Sequence, residues 1–166
     1  MFAAIAPLIY AAVAMLALAA AVGAPWPRHA PIGQSPRVHW YAVAAVVVLL
    51  TVWRIVDGEA VVQAIARGMA RADGRYEARR ELQGPLVAIA ILATSLALYR
   101  LRRAHAPSPE MRWSRVALGA LVIYSLIRSL SYHPFDALIY ADWGPFHVNH
   151  VIDLGLLSIV ALCAIL

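Results

Sequence analysis

Five stretches of this chain are apolar over lengths that suit a bilayer, and its polar positions are gathered between them. They run from Ile5 to Ala24, Trp40 to Val56, Gln83 to Leu101, Trp113 to Leu130 and Val148 to Leu166. A helix needs about 20 apolar residues to cross a hydrocarbon layer of about 30 Å, so each stretch is expected to be a transmembrane helix. The first could instead be a secretory signal. No arginine precedes it, however, and Pro25 follows its small-residue run, so it is expected to be retained as a first helix. The tryptophans agree with these limits: Trp26, Trp40, Trp53, Trp113 and Trp143 all stand at or just beyond a segment end, the headgroup level that suits an indole.

The connections differ in character. From Pro25 to His39 the chain carries Pro25, Pro27, Pro31 and Pro36, which lack amide donors, and an irregular loop is expected. From Asp57 to Asp73 the polar residues Glu59, Gln63, Arg67 and Arg71 recur every four positions, with Val62, Ile65, Ala66 and Met69 opposite. That period predicts an amphipathic helix lying in the membrane interface. Asp73 and Gly74 then supply a turn. The expected fold is therefore an all-α membrane protein, one transmembrane domain over residues 1–166. It comprises a bundle of about five transmembrane helices (about 5–24, 40–56, 83–101, 113–130 and 148–166) and one interfacial helix at about 57–73.

Composition strengthens this picture. The 166 residues are 63% hydrophobic and 14% charged, against roughly 45–50% and about 25% for a soluble domain. A core this small could not hide so much apolar surface from water. The net charge of +5 raises the question of nucleic acid, but the arginines flank apolar segments, where they anchor helix ends, and no nucleic-acid partner is expected. The single cysteine, Cys163, excludes a disulfide framework and reads as a small lipid-buried hydrophobe.

Arginine bias gives an expected orientation. Arg100, Arg102, Arg103, Arg112 and Arg115 crowd the connection between segments three and four, and Arg28 and Arg37 lie on the same side. The opposite side has Arg54, Arg67, Arg71, Arg75, Arg79 and Arg80, interleaved with acids. Because basic loops are retained in the cytoplasm, a multi-pass protein of the bacterial inner membrane is expected, with a periplasmic amino terminus and a cytoplasmic carboxy terminus. The arginines Arg67, Arg71, Arg75, Arg79 and Arg80 are a candidate surface for lipid phosphate or a partner.

The richest chemistry lies near the last segment: Arg128, Ser131, His133, Asp136, Asp142, His147, Asn149, His150 and Asp153. His147, His150 and Asp153 are spaced by three and, on a helix, share an arc of about 120°. Arg128 and Asp153 each lie about one turn inside an apolar run, where ionisable groups normally pair, so an Arg128 and Asp153 ion pair is expected. The leading reading of the cluster is that it locks two helices together. The second is metal ligation by His133, His147, His150, Asp136 and Asp153, with a divalent ion such as zinc, haem being the weaker alternative. The third is catalysis, with His133 or His150 as general base and Arg128 stabilising an anion.

The segments Arg75 to Gln83 (RYEARRELQ) and Arg128 to Asp136 (RSLSYHPFD), with Asp153 in the last helix, resemble a group of small uncharacterised bacterial polytopic membrane proteins over the second half of the chain. That resemblance implies no activity. Arg128, His133 and Asp136 also approach the last motif of phosphatidic-acid-phosphatase-like enzymes, though one residue out of register and without the PSGH motif. Ser131, His133, Asp136, His147 and His150 look like a fragment of ceramidase-type hydrolases, which use seven helices and an HxxxH pair. The leading expectation is a non-enzymatic accessory or assembly subunit whose partners are membrane lipids and other membrane protein subunits. The alternative is a metal-dependent hydrolase acting on a lipid, and a small transporter is third.

Overall fold

Two Ser-Pro pairs set the starts of two long helices. In the computed structural model, which describes residues 2–24, 35–72, 108–129, 142–143 and 146–166 and scattered helical positions between 85 and 100, α2 spans Pro36–Ile55. Ser35 is its N-cap, its Oγ accepting from the Val38 amide at 3.5 Å. After α3 (Gly58–Ala72), α4 spans Pro109–Ser129, and Ser108 Oγ accepts from the Met111 amide at 3.3 Å. Both helices begin four residues ahead of the expected Trp40 and Trp113. Proline is at home in the first turn, where its missing donor has no partner to lose, and the preceding serine satisfies an amide left free by the helix end. The irregular reading of residues 36–39 is corrected on this ground.

The first helix, α1, covers Phe2–Gly23 and packs most extensively against α2; α5 covers Val148–Ile165 and packs on α4 and α1. The core interleaves Tyr10, Val13, Ala14, Ala17 and Ala21 of α1 with Trp40, Val43, Ala44 and Val47 of α2, closed by Leu121 of α4 and by Leu157 and Val160 of α5. Alanine at positions 14, 17 and 21 lets the α1 and α2 backbones approach closely, the usual basis of helix association in lipid. Arg37 ties the free end of α1 to α2: its Nη2 donates to the Val22 carbonyl at 3.1 Å and its Nε to the Ala24 carbonyl at 3.2 Å.

Outward faces are apolar. Leu8, Met15, Leu49, Ile55 and Leu162 are all largely exposed. Among the described residues, α1 from Ile5, α2 and α5 are long and apolar enough to cross a membrane. The protein is thus a helical membrane protein with three candidate spans among those residues. A two-residue antiparallel ladder precedes α5: β1 (Asp142–Trp143) pairs with β2 (Phe146–His147), placing Asp142 opposite His147. The sequence pattern did not anticipate it, because two residues are too few to show a strand period.

The α2–α3 junction turns sharply. Asp57 adopts a left-handed conformation (φ 49°), which an aspartate tolerates better than most residues. Gly58 follows, and a Cβ there would lie 2.3 Å from Cδ2 of Trp53. The helix α3 consequently folds back over the end of α2 and packs against α4.

Candidate functional site

The turn at Asp57 brings the last turn of α2 and the first turn of α3 together, so Arg54 meets Glu59, their side chains joined at 3.1 Å from Nη1 to Oε1. The other Glu59 oxygen, Oε2, accepts from Arg128 Nη2 at 2.8 Å, in the last turn of α4. Asp153, on the second turn of α5, completes the set: its Oδ2 accepts from Arg54 Nη2 and lies 3.6 Å from Arg128 Nη1. Four helices thus contribute one charge each, and opposite signs alternate around a ring. Exposure of the four side chains falls from 14% at Arg54 to 6% at Asp153.

Helix polarity favours the arrangement. Glu59 sits near the positive N-terminal end of α3, and Arg54 and Arg128 sit near the negative C-terminal ends of α2 and α4. Each guanidinium also lies near an aromatic face: the carbon of Arg54 is 5.8 Å from the Tyr10 ring centre and that of Arg128 is 5.7 Å from the Tyr124 ring centre. Gln63, one turn beyond Glu59, donates from Nε2 to the Arg128 carbonyl at 3.4 Å. Burial holds the Glu59 carboxyl above its ordinary range, and Arg128 and then Arg54 offset only part of that shift.

The ring corrects the reading of α3. Glu59 and Gln63 belong to the polar stripe expected of an interfacial helix, but Glu59 is buried and Gln63 faces the end of α4, while Val61, Val62 and Ile65 are exposed. Two arginines buried at helix ends need an acid, and that demand outweighs solvation of a single glutamate. Arg54 and Glu59 are the residues that sequence reasoning missed. Their usable signal was an Arg in a last helical turn and a Glu in a first turn on either side of Asp57-Gly58.

Beside the ring lies a cavity of about 310 Å³. All four charged residues line it, together with Trp53, Asp57, Asn149 and His150, while Ala6 and Pro7 form an apolar wall. Asn149 is 4% exposed and, among the described residues, its Oδ1 has no hydrogen-bond partner; nor has Trp53 Nε1.

The other expected site residues are placed as follows. Arg128 and Asp153 come together, with Arg54 the nearer partner of Asp153. His150 lines the cavity. His147 belongs to β2, one residue before α5, so its position is set by the ladder and not by the helical register assumed for it. The inward face of α5 is Asn149, Asp153, Leu157 and Val160. His133, Asp136, Arg75, Arg79 and Arg80 lie outside the described residues, as do the side chains of His147, Arg67 and Arg71. Among the described residues no three of His, Cys, Asp and Glu converge as metal ligands.

A second polar cluster ties the opposite ends of α2 and α4. Arg115 Nε donates to His39 Nδ1 at 3.4 Å, so the His39 proton is on Nε2 and donates to Ser114 Oγ at 2.8 Å. Ser114 Oγ in turn donates to the Met111 carbonyl at 3.1 Å. His39 is spent as a donor toward Ser114 and cannot act as its base. This is a fastening between helices. No family model matches the chain, and no curated protein or solved structure matches it.

Proposed function

We propose that this chain is a non-enzymatic accessory or assembly subunit of a membrane complex in the bacterial inner membrane. The observation that carries the reading is the closed charge ring. Both Glu59 oxygens are taken by arginine, and both guanidiniums reach Asp153 Oδ2, so the strongest groups of the site compensate one another and fix four helices in place. A bundle clasped in this way leaves its outer apolar faces, with Met15 on α1 and Leu49 on α2, for lipid and for other subunits.

Five crossings suit the same geometry. The contact from His39 to Ser114 sets the start of α4 beside the start of α2, whereas α3 leaves from the far end of α2. A crossing at residues 83–101, which have the length for it, would join these two ends. The termini would then lie on opposite faces, and the arginine-dense connection before α4 supports a periplasmic ring end and a cytoplasmic carboxy terminus. The apolar face of α3 at Val61, Val62 and Ile65 would rest at the lipid surface.

The second reading is a metal-dependent lipid hydrolase, whose candidate base His150 lines the cavity with Arg128. Photo-crosslinkers placed at Met15 and Leu49 in growing cells separate the two. Discrete protein adducts at one helix face are expected for a subunit. Adducts to lipid alone, together with metal-stimulated release of headgroups or fatty acids by the purified chain, would refute it.

A further inference from the structure

The ring turns its terminal guanidinium nitrogens and both Glu59 oxygens inward, and the polar atoms left over bear on what the adjoining cavity can accept. Arg54 gives both terminal nitrogens to Glu59 and Asp153, and Arg128 gives Nη2 to Glu59 with Nη1 facing Asp153. The terminal nitrogens are thus turned to the ring's own acids, while Arg54 Nε, Arg128 Nε and Asp153 Oδ1 are buried without a partner among the described residues. Three carboxylates, at Asp57, Glu59 and Asp153, face two guanidiniums around the cavity, leaving one negative charge over. Asp57 is exposed at the turn and belongs to none of the ring's ion pairs. Asn149, nearly fully buried on the first turn of α5, has a free carbonyl oxygen among the described residues, and such a buried acceptor is costly unless something donates to it.

We propose that this cavity binds a hydrogen-bond-donating ammonium, as carried by an aminoethyl phosphate unit, with Asn149 Oδ1 and the Asp57 carboxylate accepting from its N–H groups. Trp53 Nε1, a buried donor without a partner, supplies the complementary contact for an oxygen of the same unit. The Trp53 ring lies against Gly58, whose missing Cβ leaves room for it, so this donor is held in place by the turn that also positions Asp57. The volume of about 310 Å³ suits a headgroup and exceeds what a bare ion needs. Ala6 and Pro7 form an apolar wall, and the exposed Leu8 and Ile55 continue the apolar surface on the neighbouring helices, so the same unit can arrive on a lipid as well as free.

The test uses the full chain purified in dodecyl maltoside, titrated calorimetrically with short-chain phosphatidylethanolamine, with the phosphatidylcholine of the same chains, and with 2-aminoethyl phosphate. A trimethylated nitrogen keeps the charge but has no N–H to donate. Phosphatidylethanolamine should bind about tenfold or more tightly than phosphatidylcholine, the scale of one or more lost hydrogen bonds to a charged group. Asp57→Asn, which tolerates the left-handed backbone, and Asn149→Leu should each remove that preference, whereas Asn149→Asp should keep it. If Asn149→Leu fails to fold by circular dichroism, the Asp57→Asn result decides. Binding of 2-aminoethyl phosphate with the same dependence on Asp57 would identify a free amine as the ligand, and its failure beside a positive phosphatidylethanolamine result would identify the lipid. Equal affinity for the two lipids, or saturation by sodium or calcium chloride alone, overturns the proposal.

Discussion

Replacing Asp153 by asparagine removes one of two acids from a ring that holds two guanidiniums, and the loss can be scaled from the geometry. Breaking a buried pair costs about 3–5 kcal/mol, because a charge is left without compensation. Here Arg54 and Arg128 each retain an oxygen of Glu59, at 3.1 and 2.8 Å, so the stranded charge is shared and the loss belongs at the lower end, about 3 kcal/mol. The ring also predicts which second substitution relieves the defect. Asp153 Oδ2 is in direct contact with Arg54, whereas Arg128 stands off at 3.6 Å. Arg54→Gln combined with Asp153→Asn should therefore lose less than the sum of the single changes, by about 1–3 kcal/mol, and should show the larger coupling; Arg128→Gln with Asp153→Asn should show the smaller one. Reversible unfolding in mixed dodecyl maltoside and dodecyl sulfate micelles, followed by helix signal, measures each corner of both cycles. Additivity for Arg54 and Asp153, or a stronger coupling of Asp153 to Arg128 than to Arg54, would refute the ring geometry.

Three further outcomes follow from other parts of the molecule. Gly58→Ala should destabilise the chain by about 1–3 kcal/mol in the same micelles, since the new methyl would overlap the Trp53 ring, and Trp53→Ala in the same chain should relieve the overlap. Ser108→Ala should cost about 1 kcal/mol by removing the cap of α4, whereas Ser108→Asp should hold stability near that of the native chain. Because the folded chain holds the Glu59 proton more tightly than the unfolded one, stability should be greatest below the ordinary glutamate range and fall as pH rises through the folded value; Glu59→Gln should flatten that part of the profile.

Much of the helical framework was legible from the chain alone, and for a definite reason. A lipid-facing helix announces itself by about 20 apolar residues, a local requirement that the stretches in α1, α2 and α5 meet. The four-residue recurrence from Glu59 likewise falls within a helix at Gly58–Ala72. The helix starts at Pro36 and Pro109 were also written locally, in Ser35-Pro36 and Ser108-Pro109, although the prolines invite a reading as breakers. What tertiary structure decided was partnership. The chain offers 14 arginines and nine acids, and nothing in their spacing selects Arg54 for Asp153 across 99 residues, or turns Glu59 inward and Val61 outward. That selection depends on a left-handed Asp57, a glycine under an indole and an α5 register that buries Asn149 and Asp153 together. Periodicity records how a helix divides its own surface, but an ion pair in a low-dielectric interior is chosen by the distance between helices, which only their packing sets.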